Sequence, residues 1–312
     1  MSSLLLDSLI LLFLFVILGY FADVVVYKIK FIAKALGLRL FVLGIILGIV
    51  TTLPELSVGV NATINEVASL SAGNLLGGIL VILGFILGLS LWLNRRLSSI
   101  EIVKTLVPAG AVMFLPLLLG IDGSYGTIDG LLMILAYTGL LLYLYKVNRP
   151  ADEAVRLTIH KREIFKSIFI ALLGTAVVLV AANWIVDISV RLLTATGLSQ
   201  MMIGLLVFAI GTNLPEITVV LVSWRRKTSE LSLSHLVSSA FTNVLVLGIL
   251  ATLGTISFRV DATYYFLMLF LSLMIILFMI FSYTDKKLTK QEGIILFLVY
   301  AMFVFSNILL TL

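Results

Sequence analysis

Two apolar stretches of this chain contain nearly the same segment, Thr51-Thr52-Leu53-Pro54-Glu55 and Thr212-Asn213-Leu214-Pro215-Glu216, set 161 residues apart. Each puts a carboxylate and a helix-breaking proline at membrane depth. An ionised acidic side chain at the centre of a spanning helix opposes insertion by about 2.5 to 3.5 kcal/mol on translocon scales. Two such residues in matched contexts imply a positive partner, held by two related halves of the molecule.

The rest of the sequence fits a chain that lives in lipid. Of 312 residues, 61% are hydrophobic and 12% charged, and the mean hydropathy is +1.22, whereas soluble domains carry about a quarter charged residues. This is the composition of a polytopic membrane protein. Its net charge of +5 is read by side of the membrane, and no nucleic-acid partner is expected. The absence of cysteine excludes disulfides, thiolate metal sites and a cysteine nucleophile. The apolar N-terminus starts at Met1-Ser2-Ser3-Leu4 with no basic stretch before it and runs past Tyr20. It is too long for a signal-peptide core and is read as a retained first helix.

At about 20 apolar residues per crossing, the sequence predicts an all-α membrane protein of ten transmembrane helices. The spans fall at roughly 4 to 27, 37 to 62, 69 to 92, 101 to 120, 126 to 146, 164 to 189, 199 to 224, 231 to 255, 261 to 283 and 290 to 311. Basic residues gather in alternate connections: Lys28, Lys30, Lys34 and Arg39; Arg95 and Arg96; Lys146, Arg149, Arg156, Lys161 and Arg162; Arg225, Arg226 and Lys227; Lys286 and Lys287. Those connections are cytoplasmic by the positive-inside rule. The others hold little beyond Arg191 and Arg259, so both termini are expected on the extracytoplasmic side of the cell membrane.

Five helices per half means that the second half enters the membrane from the opposite side, which makes the repeat inverted. The expected division is residues 1–146, a cytoplasmic linker at 147–163, and residues 164–312, with no room for a soluble domain. Other pairs keep nearly the same spacing: Ala22-Asp23 with Ala182-Asn183, Gly77-Gly78 with Ser238-Ser239, Asp129-Gly130 with Glu292-Gly293, and Tyr137 with Tyr300. Inverted repeats of this kind build transporters whose substrate sits near the midplane, where broken helices of the two halves meet.

Proline lacks the N–H that would bond the carbonyl four residues back, so Pro54 is expected to free the oxygen of Val50 and Pro215 that of Gly211. Irregular backbone at this depth must be buried in protein or line a cavity. Carbonyl, hydroxyl and carboxylate oxygens together suit hard cations such as Ca²⁺ or Na⁺. Glu55 and Glu216 would supply charge, and Thr51, Thr52, Thr212 and Asn213 neutral oxygens. The segments Gly73 to Gly78 and Ser238 to Asn243 would pack against them through small residues. Structural roles compete with this reading. Thr51 and Thr212 could bond back to their own helices, Gly44-xxx-Gly48 and Gly84-xxx-Gly88 are simplest as packing grooves, and His235 as a structural hydrogen-bonding residue. Asp23 stands open between structural partner and ion-path residue. No paired-aspartate metal motif or Ser/His dyad occurs at shared depth, so the chain is not expected to be an enzyme.

At these residues the chain resembles the sodium/calcium exchanger branch of the calcium/cation antiporter superfamily. Its two alpha repeats carry G-T-S-L-P-E-type and G-N-x-x-G-S-type segments, which here read Gly48 to Glu55 with Gly73 to Gly78, and Gly211 to Glu216 with Ser234 to Ser239. The resemblance covers both repeats and the ten-helix layout. It implies that Glu55 and Glu216 bind Ca²⁺ with the Thr51 and Thr212 carbonyls. It also implies that Ala209 offers a sodium-liganding carbonyl and Ser239 a sodium-liganding hydroxyl, and that the first and sixth helices slide across a more static core. The sequence departs from the pattern at Gly78, where a sodium-liganding Ser is usual, and at Ile82, where an Asn is usual. In the second repeat Asn213 replaces a Ser, His235 an Asn, and Asn243 stands where an Asp is often found.

Two ionised glutamates balance one Ca²⁺, two Na⁺ or two protons. A third Na⁺ would need ligands that Gly78 and Ile82 do not supply, so exchange at or near electroneutrality is expected, with protons competing for Glu55 and Glu216. The expected function is secondary antiport of Ca²⁺ against Na⁺ or H⁺. The alternatives are a monovalent-cation antiporter (Na⁺, Li⁺, K⁺ or H⁺) that no longer carries Ca²⁺, or a channel-like or non-transporting relative. No cofactor is expected beyond the transported ions; the expected partners are inorganic cations and the lipid bilayer, and the expected state is monomeric.

Overall fold

The computed structural model describes residues 2–35, 52–94, 96–98, 103–147, 161–196, 199–225, 229–284 and 287–309. Thr51, Gly44 and Gly48, most of the second expected span and the middle of the expected linker lie outside them. The described chain runs α1 (Ser2–Ala35), α2 (Leu53–Ile64), α3 (Ala68–Asn94), β1 (Arg96–Ser98), α4 (Val103–Leu119), β2 (Ser124–Tyr125), α5 (Thr127–Val147), α6 (Lys161–Thr196), α7 (Gln200–Thr212), α8 (Leu214–Arg225), α9 (Ser229–Leu253), β3 (Ile256–Ser257), α10 (Ala262–Thr284), β4 (Lys287–Thr289) and α11 (Lys290–Leu309). Helices dominate because lipid offers no partner to a backbone N–H or C=O, and a helix satisfies both within itself. Among the described residues seven helices are long and apolar enough to cross a membrane, and shorter apolar helices cover Leu106–Asp122 and Gln200–Thr212.

Helices α1 and α6 exceed their predicted spans. They hold 34 and 36 residues, about 51 and 54 Å of helix at 1.5 Å per residue, against a hydrocarbon core of about 30 Å. The apolar pattern marked only the part that needs lipid. Beyond it α1 continues through Tyr27 and Lys28 and α6 begins at Lys161, so α6 takes up the last residues of the expected linker. Long basic side chains can lay their stems along such a helix end while the charge stays in water. The two helices pack antiparallel. Arg191 Nη2 lies 3.1 Å from Asp7 Oδ1 at one end, while at the other Gly174 faces Val25 and the carbonyl of Phe21.

Two buried apolar clusters divide the interior. Leu11, Leu14, Phe15, Leu18, Val178, Ala182, Ile185 and Val186 join α1 and α6 to Val58 and Ala62 of α2 and Ile203 and Phe208 of α7. The larger cluster runs through α3, α4, α5, α9, α10 and α11, from Leu76 and Ile86 to Leu247, Leu271 and Phe303. Outward faces stay apolar, with Leu12 66%, Phe165 74% and Leu135 67% exposed, as lipid contact allows.

The connections add something that an all-α reading omits. Strand β1 pairs antiparallel with β4 (Arg96 with Thr289, Leu97 with Leu288, Ser98 with Lys287), and β2 with β3 (Ser124 with Ser257, Tyr125 with Ile256). Ladders of three and two residues are too short to produce a readable alternation of hydrophobicity. Each is followed by a capped helix. The N–H of Gly126 donates to Asp129 Oδ2 at 2.8 Å at the start of α5, and that of Thr289 donates to Glu292 Oε2 at 2.6 Å at the start of α11. A carboxylate at this position satisfies an otherwise orphaned helix-terminal donor.

Glycine sets the closest helix approach. Gly73 of α3 and Gly204 of α7 face each other so tightly that a Cβ on Gly204 would lie 2.7 Å from the backbone N of Asn74, and one on Gly77 3.0 Å from Leu205 Cα. Gly88 similarly meets Gly293, and Gly130 meets Gly248. Gly204→Ala is therefore expected to lower the thermal unfolding midpoint in detergent, at a cost of about 1 to 3 kcal/mol because backbone cannot yield as a side chain can. Gly139→Ala, where a Cβ meets nothing within 4 Å, is the control and should leave the midpoint unchanged or raised.

Candidate cation site

The repeated segment opens a helix at the same point both times, at the leucine before the proline. Thr52, preceding α2, has φ −92° and ψ 10°; Asn213, between α7 and α8, has φ −88° and ψ 12°. Both sit in the sparsely populated bridge region. Each proline two residues later has no N–H to give, so the regular i to i−4 pattern restarts beyond it, with Leu56 N donating to Thr52 O at 3.0 Å and Ile217 N to Asn213 O at 3.2 Å. This start puts Glu55 in the first turn of α2 and Glu216 in the first turn of α8. There the unpaired N–H groups and the helix dipole favour a negative group. Val50, whose carbonyl Pro54 was expected to free, lies outside the described residues.

Both glutamates are 0% exposed, and their carboxylates are close enough to interact electrostatically. Ser239 Oγ donates to Glu216 Oε1 at 2.9 Å. Glu216 Oε2 and both oxygens of Glu55 are buried with no hydrogen-bond partner. The Thr212 hydroxyl lies beside Glu55, but its single proton is directed to Phe208 O at 3.0 Å on its own helix or to Asn74 Oδ1 at 3.1 Å on α3. Asn213 Nδ2 donates to Ala209 O at 2.8 Å and Asn243 Nδ2 to Leu75 O at 3.3 Å, while the Oδ1 of each is buried without a donor.

Around these residues three carboxylate oxygens and two amide oxygens lack a donor, and the Asn74 Nδ2 donor lacks an acceptor. A buried acceptor without a partner costs free energy, and an uncompensated buried carboxylate costs far more. Such an excess of acceptors suits a cation. Among the described residues no group of three or more His, Cys, Asp or Glu comes together, so a cation here would have two carboxylates and otherwise neutral oxygens.

Of the residues expected from sequence, Thr52, Glu55, Ala209, Thr212, Asn213, Glu216, Ser239 and Asn243 are all buried, none more than 2% exposed; Thr51 lies outside the described residues. Asn74 was missed as more than packing. It accepts from Thr212 across α3 and α7, and its signal was an amide alone within an apolar, small-residue run. The grooves expected at Gly84 and Gly88 do pack helices, against Tyr300 with Met274 and against Gly293 with Phe297.

This architecture and these motifs belong to a known family. The profile of the sodium/calcium exchanger protein family matches residues 7–146 and 166–309, and the chain belongs to that family. It is similar to the sodium/calcium exchanger MaX1 of Methanosarcina acetivorans, 23% identical with 95% of this chain and 97% of that one covered. It is also similar to the inner membrane protein YrbG of Escherichia coli, 24% identical over 74% of each. Among solved structures, the sodium-calcium exchanger NCX_Mj shares the fold with a TM-score of 0.69 at 24% identity, covering 96% of this chain and 98% of that one. The H⁺/Ca²⁺ exchanger CAX shares it with a TM-score of 0.75 at 17% identity, covering 99% and 91%.

A ligand that binds only the folded chain stabilises it by about 2.7 kcal/mol at a hundred times its dissociation constant. Saturating Ca²⁺ is expected to raise the unfolding midpoint of the purified protein. Glu55→Gln and Glu216→Gln are each expected to abolish that rise while leaving a folded protein by gel filtration.

Proposed function

We propose that this chain is a secondary cation antiporter that exchanges Ca²⁺ for Na⁺ or H⁺ at a midplane site formed by Glu55 and Glu216. The observation that carries this reading is the pair of fully buried carboxylates, each opening a proline-broken helix, with three of their four oxygens lacking a donor. The names of relatives point the same way: one is a sodium/calcium exchanger, and a structural neighbour is an H⁺/Ca²⁺ exchanger.

The site would be shared by ten crossings arranged as two inverted halves, residues 1–146 and 164–312. Several matched features support the inversion. Thr52 and Asn213 precede α2 and α8 with nearly the same dihedral angles. The caps of Asp129 and Glu292 open corresponding helices. Gly88 against Gly293 in one half-to-half contact corresponds to Gly248 against Gly130 in the other. The ladders follow suit: β1 corresponds in sequence to β3 and β2 to β4, so that β1·β4 and β3·β2 are counterparts. The basic residues about β1 and β4 assign that ladder to the cytoplasmic face.

Exchange follows from charge. Two carboxylates at close range cannot both stay ionised and empty in a poorly solvated site. Ca²⁺ leaves when Na⁺ or protons replace its charge, and the site turns to the other face only when neutralised. The separate apolar cluster of α1 and α6 against α2 and α7 suits a pair of helices that slides over a static body. The cycle would be close to electroneutral.

The test is ⁴⁵Ca²⁺ uptake into proteoliposomes under separate Na⁺, K⁺ and pH gradients. Saturable uptake that needs a Na⁺ or pH gradient is expected, and Glu55→Gln and Glu216→Gln should reduce it to background. One net charge moved across 100 mV is worth about 2.3 kcal/mol, so strong acceleration by an imposed potential of either sign would remove the electroneutral version. Sodium-dependent proton flux without Ca²⁺ uptake would instead indicate the monovalent antiporter, and flux without a counter-ion a channel.

A further inference from the structure

The space beside Gly78, where its side chain would stand, is taken by two amide groups. A Cβ there would lie 2.7 Å from Asn243 Nδ2 and 3.3 Å from Asn213 Nδ2. Those nitrogens are identified by what they touch: one reaches the Ala209 carbonyl at 2.8 Å and the other the Leu75 carbonyl at 3.3 Å. Turned over, each amide would press oxygen against oxygen. Contacts close into a ring, from Glu216 to Ser239 by hydrogen bond, along one helical turn to Asn243, across to Gly78, on to Asn213, and three residues along the chain back to Glu216.

The two halves differ at this ring. Ser239, the counterpart of Gly78 in the internal repeat, gives its hydroxyl to Glu216; Gly78 has none to give, and Glu55 has no partner on either oxygen. A carbonyl that already accepts from an N–H, at 2.8 Å for Ala209 and a longer 3.3 Å for Leu75, is a poor cation ligand, because the N–H presents positive charge where the ion would stand. The Ala209 and Leu75 carbonyls are thereby withdrawn. Among the described residues around the ring, the buried oxygens without a donor are Glu55 Oε1 and Oε2, Glu216 Oε2, Asn213 Oδ1 and Asn243 Oδ1, a number fit for a single hard cation completed by water or backbone.

We infer that Gly78, Asn213 and Asn243 together set the occupancy of the site: the two amide nitrogens stand where a further cation would bind, leaving one seat that a divalent ion and a monovalent ion take in turn. The second negative charge is matched by the divalent ion itself or by a proton. The inference rests on the proposed reading of Glu55 and Glu216 as cation ligands and makes Asn213 and Asn243 determinants of coupling.

The experiment is displacement of bound ⁴⁵Ca²⁺ from the purified full-length protein by NaCl, at fixed pH and with ionic strength held by choline chloride. A single seat gives a Hill slope for Na⁺ of about one, since the slope is bounded by the number of interacting sites. Gly78→Ser combined with Asn213→Ser supplies two hydroxyls and releases the Ala209 carbonyl, and is expected to raise the slope toward two. Asn213→Ser alone, which adds no bulk at position 78, should raise it in the same direction and serves if the double variant does not fold. A wild-type slope of two or more overturns the inference. So does an unchanged slope in the Asn213→Ser variants, or an equal rise in Gly78→Ala, which displaces the amides without adding an oxygen. If Ca²⁺ binding survives in both Glu55→Gln and Glu216→Gln, it is the underlying reading that fails; if binding is lost there but the slopes do not separate, the occupancy inference alone fails.

Discussion

The structure depends on keeping two acidic side chains inside an apolar body without a full set of donors. Transfer of an ionised carboxylate to such a medium is among the least favourable events in folding, and here two acidic side chains are fully buried within electrostatic reach of each other. The surrounding features follow from it. Each glutamate opens a helix and so meets its positive end, Ser239 supplies one hydroxyl to Glu216, and three carboxylate oxygens are left without a donor. Even the glycine crossing of α3 and α7 serves this end, because Asn74, Gly78, Thr212 and Asn213 meet only when the two backbones touch.

Much of this could be read from the letters. The Leu-Pro-Glu pair located both helix starts because proline lacks the N–H that a helix interior requires, whatever surrounds it, and spacing linked the two. Composition located the long apolar helices. The Asp129 and Glu292 pair was visible as a match, although its capping role needed the backbone. The expected spans of α1 and α6 match the apolar stretches Leu5–Val25 and Arg162–Ser189, while the helices themselves run further, since hydropathy is silent where a helix continues past its apolar part. Amide orientation was invisible for a different reason: whether Asn213 offers oxygen or nitrogen depends on the Ala209 carbonyl behind it and on a gap left by Gly78 of another helix. A side chain with two chemically opposite ends cannot be assigned from sequence spacing.

The spacing of matched positions also changes along the chain. Gly78 and Ser239 are 161 residues apart, Gly88 and Gly248 only 160. Between those points α3 contains a π-helical turn, Val81–Ile86, whereas α9 is regular throughout. A π turn accommodates one surplus residue without breaking the helix, which accounts for the change and lets residues on both sides of it keep their partners. Ile82, expected as a lost ligand, lies in this turn and is wholly buried among apolar neighbours.

The two small ladders carry a consequence for biosynthesis. Strand β1 emerges early but hydrogen-bonds β4, about 190 residues later, and β2 must wait for β3. Since chains grow at about 5 to 20 residues per second, the early strands stand unpaired for many seconds while the remaining helices are threaded into lipid. The edge of β1 stays open until Lys287–Thr289 has been made, so the order of synthesis leaves this ladder to close late, after the helices between its strands.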